Sequence, residues 1–251
     1  MIYFLNKIKK NMGKVLVLYV FHEMNKRVDI FFKKCIFKDD NVDFLVISNG
    51  YNENLDLPSY VKVIRRNNVG LDFGGWSEGL LRDELYKKYD YFIFANSSIV
   101  GPFIPDYYKD NWTSIFINGL NDDIKLYGVT INAEKDPLFR SHVQSYLFVM
   151  DKSTLKFLID KEIFSLTNQS LNMDDCVENK EILMSRLIID NGWNIGAMCN
   201  YYNGVDFRFK EKQPHEYNMN FTGGFMDSRY RDKLWNEYQL VFIKGASFGI
   251  I

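Results

Sequence analysis

The sequence predicts an α/β fold in which an open, mostly parallel twisted sheet flanked by helices gives way to a mixed α+β second half. Short runs rich in Val, Leu and Ile recur along the first part of the chain at the length of buried strands. Amphipathic segments stand between them, as parallel strands require. The strands run into polar turns at His22, Asn49, Arg65 and Asn96, where the carboxyl ends of such strands meet ligands.

Taken in order, Lys14 to Tyr19 alternates Val and Leu and reads as the first strand. The polar break His22-Glu23-Met24-Asn25 leads into a helix whose apolar face is Val28, Phe31, Phe32 and Cys35. Val42 to Ser48 is the second strand, closed by Asn49-Gly50, and Tyr60 to Ile64 the third. Gly74 to Tyr86 has helical spacing, and Tyr89 to Ala95 is the fourth strand. Strands and helices are thus expected to alternate as successive β-α units.

In the second half, Trp112 to Asn118, Lys125 to Asn132 and Val143 to Met150 read as strands, Ser153 to Ile159 and Lys180 to Asn191 as helices. Asn191-Gly192-Trp193 ends the longer helix with a Gly at C′ and opens a strand through Met198. Val205 to Thr222 has no clear period, Met226 to Tyr238 is expected to be helical, and Leu240 to Lys244 a short strand. No internal repeat or low-complexity linker interrupts the chain.

A chain of 251 residues is sized for one domain with a sizeable core, here residues 14–251 after an amino-terminal extension 1–13. The formal net charge of -1 lacks the positive field of a nucleic-acid binder, so basic groups act locally and the ligand is expected to be a small anion. Three widely spaced cysteines, Cys35, Cys176 and Cys199, form neither a disulfide framework nor a zinc motif and fit a reducing compartment. The apolar runs fall far short of the ~20 residues of a membrane helix. The first ten residues have no long apolar core or cleavage site for export, and a peripheral membrane contact there stays open.

The chemistry concentrates in Arg65-Arg66-Asn67-Asn68-Val69-Gly70-Leu71-Asp72-Phe73-Gly74-Gly75-Trp76, which follows the third strand. A diphosphate and ribose site needs cations, amides, a close backbone approach and a carboxylate. Arg65 or Arg66 can pair with phosphate, Asn67 and Asn68 can bond base and ribose, Gly70 lets backbone come near, and Asp72 can take a ribose hydroxyl or a metal. The same residues also make an ordinary turn with a capping Asp. Neither GxGxxG nor GxxxxGK[ST] is present, which removes dinucleotide and P-loop readings. The fourth strand ends in Asn96-Ser97-Ser98, short polar groups at the same edge, or a plain turn toward Gly101-Pro102.

Together these motifs resemble the rhamnan-synthesis and related polysaccharide glycosyltransferases, also found in large DNA viruses. Their pattern is similar to Arg-x-Asn-x-Gly-x-Asp-(Phe/Leu)-Gly, a strand, then Asn-(Asp/Ser)-Ser-x-x-Gly-Pro. The resemblance implies a single GT-A domain, with a nucleotide-binding half at about 14–105 and an acceptor half at about 106–251. Tyr19, Phe21 and Asn49, at the first two strand ends, and Lys244, in Phe242-Ile243-Lys244, join Arg65, Arg66, Asn67, Asn68, Gly70, Asp72, Asn96, Ser97 and Ser98 as expected donor contacts. His22 reads as a surface or capping group as readily as a ligand. His142, Gln144 and Ser145 are expected under the sugar or acceptor. Glu181, at an expected helix start, is the general base by resemblance, with Asp175, Asp174 and Glu178 as fallbacks and helix capping as its other reading.

In the wider GT-A group the fourth strand ends in Asp-x-Asp, and this chain has no carboxylate there. A divalent cation, Mn²⁺ or Mg²⁺, therefore stays an open expectation, held by Asp72 and Ser98 if it binds. The expected activity is transfer of a hexosyl or deoxyhexosyl unit from a nucleoside-diphosphate sugar to a hydroxyl of a growing glycan. Inversion by direct displacement, in the cytoplasm of the cell or infected host and there at the inner membrane face, completes the expectation. A binding module that keeps the fold without turnover is the alternative; a nucleotidyltransferase would need a glycine- and lysine-rich turn after the first strand that is missing.

Overall fold

The computed structural model describes residues 13–51, 54–134, 136, 141–213, 229–230, 233–234 and 236–245. The chain opens with β1 (Val15–Phe21), α1 (Lys26–Lys34), β2 (Val42–Asn49), β3 (Lys62–Arg66), α2 (Leu71–Leu81) and β4 (Tyr91–Asn96). It continues through β5 (Ile99–Val100), α3 (Trp112–Ile117), β6 (Ile124–Gly128), β7 (Ile131–Asn132), β8 (His142–Val143), β9 (Leu147–Asp151) and α4 (Lys152–Asp160). Then come α5 (Met173–Cys176), a π-helical stretch at Val177–Ile182, α6 (Leu183–Asp190), β10 (Asn194–Ala197), β11 (Arg229–Tyr230), β12 (Lys233–Leu234), α7 (Glu237–Leu240) and β13 (Ile243–Lys244).

Seven of the strands make one sheet in the order β10-β6-β9-β4-β1-β2-β3. Its pairs are parallel except for β9, which runs antiparallel to both β4 and β6. The α/β class and the open, mostly parallel sheet flanked by helices are as predicted. β1 is buried at every position because it lies between two strands and under helices on both faces. The carboxyl ends of β1, β2, β3 and β4 consequently share one edge.

The two faces of β1 differ. Val20 and Leu18 lie under α2, where Gly75 and Gly79 leave room: a Cβ on Gly75 would come within 2.9 Å of Val20 and one on Gly79 within 2.8 Å of Leu45. Trp76 then enters an aromatic cluster with Phe73, Phe94, Phe148 and Phe164, in which Phe94 and Phe148 stack at 4.7 Å. Tyr19 and Phe21 point the other way, toward α1, and the Tyr19 ring stacks on Phe31 at 3.7 Å.

Several sequence expectations change. Trp112–Ile117 is a helix rather than a strand, and every residue in it is buried; an apolar run buried all round shows no period that separates the two. The β2–β3 connection has no helix among its described residues, so the alternation of strand and helix breaks once. α2 starts at Leu71, earlier than expected, because Gly70 takes the left-handed conformation (φ 72°) and turns the chain straight into it. The run 125–132 divides where Val129 N–H bonds across to Leu147 and Thr130 accepts from Gln144. The run 143–150 divides at 144–146, whose backbone serves other segments. The helix expected from Lys180 begins at Met173, capped by the Asn172 side chain. Near the carboxyl terminus Arg229–Tyr230 and Lys233–Leu234 pair antiparallel where a helix was expected. Of the short strand expected at 240–244 only Ile243–Lys244 forms, since Val241 has positive φ. The extension 1–12 and residues 214–228 lie outside the described residues.

Candidate active site

The turn after β3 is built by two buried polar side chains. The Arg66 guanidinium donates to Glu78 Oε2 at 2.8 Å, to Asn49 Oδ1 at 2.8 Å and to the Val69 carbonyl at 2.7 Å. Asn49, 1% exposed, donates in turn to Asn68 Oδ1 at 3.2 Å and to the Leu71 carbonyl at 2.9 Å. Pairing of buried polar groups is what such an interior demands. Arg66 and Asn49, expected on the donor, therefore brace the turn instead. They present Arg65, Asn67 and Asn68 on its exposed side.

Asp72 stands in the first turn of α2, its Oδ2 accepting from Asn96 Nδ2 at 2.8 Å. Burial pushes its carboxyl up to about 6; the Asn96 bond works against this and the charge of Glu181 adds to it. Asp72 and Glu181, far apart in sequence, thus lie near enough for their charges to act on each other. Cys176 belongs to the same neighbourhood: its thiol is raised to about 11, mainly by burial, with the charges of both carboxylates adding to the rise. A lone buried cysteine gave no sequence signal of that position.

Glu181 is the best-held group of the site. Its Oε1 lies 3.3 Å from His142 Nε2, and its Oε2 accepts from the Ser145 N–H at 3.2 Å and from the Ser145 hydroxyl. One turn on, Ser185 Oγ accepts from the Val143 N–H at 3.0 Å. One helix face therefore clamps the segment 142–145 through alternate N–H groups. Burial pushes the Glu181 carboxyl up, but His142 and Ser145 outweigh it and hold the group below the usual glutamate range. Contrary to expectation, Glu181 does not start a helix. It sits in the π-helical stretch within a continuous helix from Met173 to Asp190, and such local widening often marks functional positions. The capping reading falls with that placement.

Capping belongs to Asn172 and Asp175: Asn172 Oδ1 accepts from the Asp175 N–H, and Asp175 Oδ2 from the Leu171 N–H at 2.7 Å. Asp175 also takes Asn179 Nδ2 at 2.6 Å, so this fallback base is a half-buried cap. Tyr19 and Phe21 are 0% and 1% exposed beneath α1, which removes them from contact with a donor. Gln144 is buried as well, its Oε1 accepting from Thr130 Oγ1 at 2.6 Å. His22 reaches the edge and bonds the Asn49 carbonyl through Nδ1.

The turn after β4 is held by the Asn96 side chain and by Gly245. Asn96 Oδ1 accepts from the Ser98 N–H at 3.0 Å, and the Ser98 carbonyl accepts from Gly245 at 2.8 Å. Lys244 is brought here because β13 pairs with β5, and its ammonium lies 5.9 Å from the Tyr146 ring centre. Among the described residues no group of three or more His, Cys, Asp or Glu side chains is arranged to hold a metal ion, nor is any helix long and apolar enough to cross a membrane.

No curated protein matches the chain. Among solved structures it is similar to a glycosyltransferase involved in the glycosylation of the major capsid of PBCV-1, at 15% identity over 74% of this chain and 83% of that one, with a TM-score of 0.41. The model of rhamnan synthesis protein F matches residues 44–221, a span that takes in the braced turn, Asp72, Asn96, His142 and Glu181. The chain belongs to the rhamnan synthesis protein F family, the glycosyltransferase family whose motifs its sequence carries.

Proposed function

We propose that this protein transfers a sugar from a nucleoside diphosphate to a hydroxyl of a growing glycan, with inversion, by direct displacement. The observation that carries the reading is the Glu181 carboxylate, gripped by His142 and the Ser145 N–H and near enough to Asp72 for the two charges to act on each other. Glu181, kept ionised by His142 and Ser145, takes the acceptor proton as the hydroxyl oxygen attacks the anomeric carbon. The bond from that carbon to the diphosphate breaks, and its electron pair leaves with the nucleotide. Arg65, Asn67 and Asn68, exposed on the braced turn, contact base, ribose or phosphate, and Asp72 and Asn96 face the sugar or the diphosphate.

Asp72 suits a Mg²⁺ or Mn²⁺ held mainly by substrate phosphates, since such ions often keep only one or two protein carboxylates. It does not suit a preformed protein cage, because Asn96 turns its amide nitrogen to Asp72 and gives its oxygen to Ser98. When bound, the ion would neutralise charge on the leaving diphosphate. The three free, buried cysteines support a cytoplasmic setting. The turn Asn96-Ser97-Ser98, without a carboxylate, is what favours the second reading, a nucleotide-sugar or glycan-binding module without turnover.

A thermal-shift panel of UDP-, GDP- and dTDP-sugars with and without Mn²⁺ tests the donor class, because ligand at ~100 times its Kd adds about 2.7 kcal/mol of stability. One base should raise the melting temperature well above the others. Slow release of nucleoside diphosphate from that donor supports the enzyme, whereas binding without any release supports the module.

A further inference from the structure

Neighbouring residues of the π-helical stretch bond two different parts of the chain. Glu181 holds the segment 142–145, whereas Lys180 enters the loop between α4 and α5. Lys180 is 3% exposed, and its ammonium donates to the Glu162 carbonyl at 2.6 Å and to the Asn168 carbonyl at 2.8 Å. Burial holds that ammonium below the usual lysine range, against the charges of Cys176, Glu162 and Asp175. A buried ammonium is costly to place, so its presence calls for a reason beyond filling space.

The loop that Lys180 grips is fitted to α2. The Phe164 ring lies 5.9 Å from that of Phe73, and the Ser165 N–H donates to Ser77 Oγ at 3.0 Å. Gln169 fills the space over Gly70 and Gly74, where a Cβ would come within 2.4 Å and 2.8 Å of its Oε1. These contacts set the loop against the helix that carries Asp72. Lys180 sets the same loop against the widened turn that carries Glu181.

We propose that Lys180 is a positioning residue for the general base: by tying the π-helical stretch to the loop 162–168, it fixes where Glu181 stands relative to Asp72 and the donor turn. This rests on the reading of Glu181 as base given above. His142 and Ser145 aim the carboxylate, and Lys180 fixes the backbone that bears it. A base must come within ~3 Å of the oxygen whose proton it takes. A displacement of about 1 Å can cost 10²-fold in rate while binding is kept. In Glu178-Asn179-Lys180-Glu181 the lysine reads as one more solvated helix charge, so only the packed loop reveals this role.

The test follows release of nucleoside diphosphate, with water as acceptor, from the nucleoside-diphosphate sugar that raises the wild-type melting temperature most. Donor affinity is measured beside it by titration calorimetry. Lys180→Met, which keeps the packing of the stem, should lower kcat for release by about 10–100-fold and leave donor Kd within about twofold. In a Glu181→Gln background the same substitution should cost nothing further, because a residue that acts through the base has no effect once the base is gone. Wild-type kcat, a loss confined to donor affinity, or the same loss of kcat with and without Glu181 overturns the positioning role. Should Lys180→Met fail to fold, Gln169→Ala, which loosens the same loop from its other end, decides by the same measurements. Loss that is independent of Glu181 in an active protein leaves the base standing and removes only the role of Lys180. Wild-type protein that binds the donor and releases nothing removes the base, and the role of Lys180 with it.

Discussion

The turn after β3 and the segment clamped by Glu181 are both dense in polar residues, yet they use them in opposite ways. In the turn, Arg66 and Asn49 spend their hydrogen bonds on one another, on Glu78 and on the loop backbone. In the second region, Ser145 and His142 turn their donors onto one carboxylate, Glu181. The first arrangement fixes a shape and the second fixes a charge state. A conspicuous charge in a motif is thus no guide to chemistry until its partners are known.

The comparison is tested most strongly at Glu181. Glu181→Gln should lower kcat by ~10²–10⁴-fold with donor affinity little changed, since a general base acts on the acceptor proton in the transition state. Normal kcat in this variant would reduce the second region to scaffold and send the search for a base to Glu178.

Arg66→Met should act on stability instead. It removes the donor to Asn49 Oδ1 and leaves Glu78 only the exposed Arg82, and should cost about 3 kcal/mol in denaturant unfolding, while donor affinity of the folded fraction is kept. A variant of native stability that no longer binds donor would show that Arg66 acts on phosphate after all, and the contrast between the regions would dissolve.

Asp72→Asn probes the junction of the two. Burial raises the Asp72 carboxyl from its ordinary value to about 6, so between about pH 4 and pH 6 the folded state holds a proton that the unfolded state has released. Stability on this account falls as pH rises through that window. The Asn variant should match wild type near pH 4, exceed it by about 1–3 kcal/mol at pH 7–8, and bind donor more weakly. Equal melting curves at both pH values would show that the carboxyl is well solvated.

The smallest effect is expected at Tyr19. Its hydroxyl is buried without a hydrogen-bond partner among the described residues, so Tyr19→Phe should change stability by less than about 1 kcal/mol and leave donor affinity alone. A loss of affinity would return β1 to the donor site.

Much of this was legible because it is local. Val15–Phe21 and Val42–Asn49 announce strands by their apolar runs, and Asn68-Val69-Gly70 announces a turn because only the glycine takes positive φ there without strain. Trp112–Ile117 was illegible for the converse reason: its burial on every side hides its period. The π-helical stretch around Glu181 was illegible too, since nothing in Val177 to Ile182 announces a widened turn.

The sequence by itself determined the α/β class, the positions of the first four strands and the order in which polar turns meet at one edge, because periodicity and turn chemistry act over a few residues. Only the tertiary structure decided which polar groups work on the fold and which on the site. Arg66 reaches Glu78, Arg27 reaches Ser97, and Glu181 reaches His142 and Ser145, all across segments distant in sequence. The burial that pushes Asp72 up and the donors that hold Glu181 down exist only once those segments are packed together.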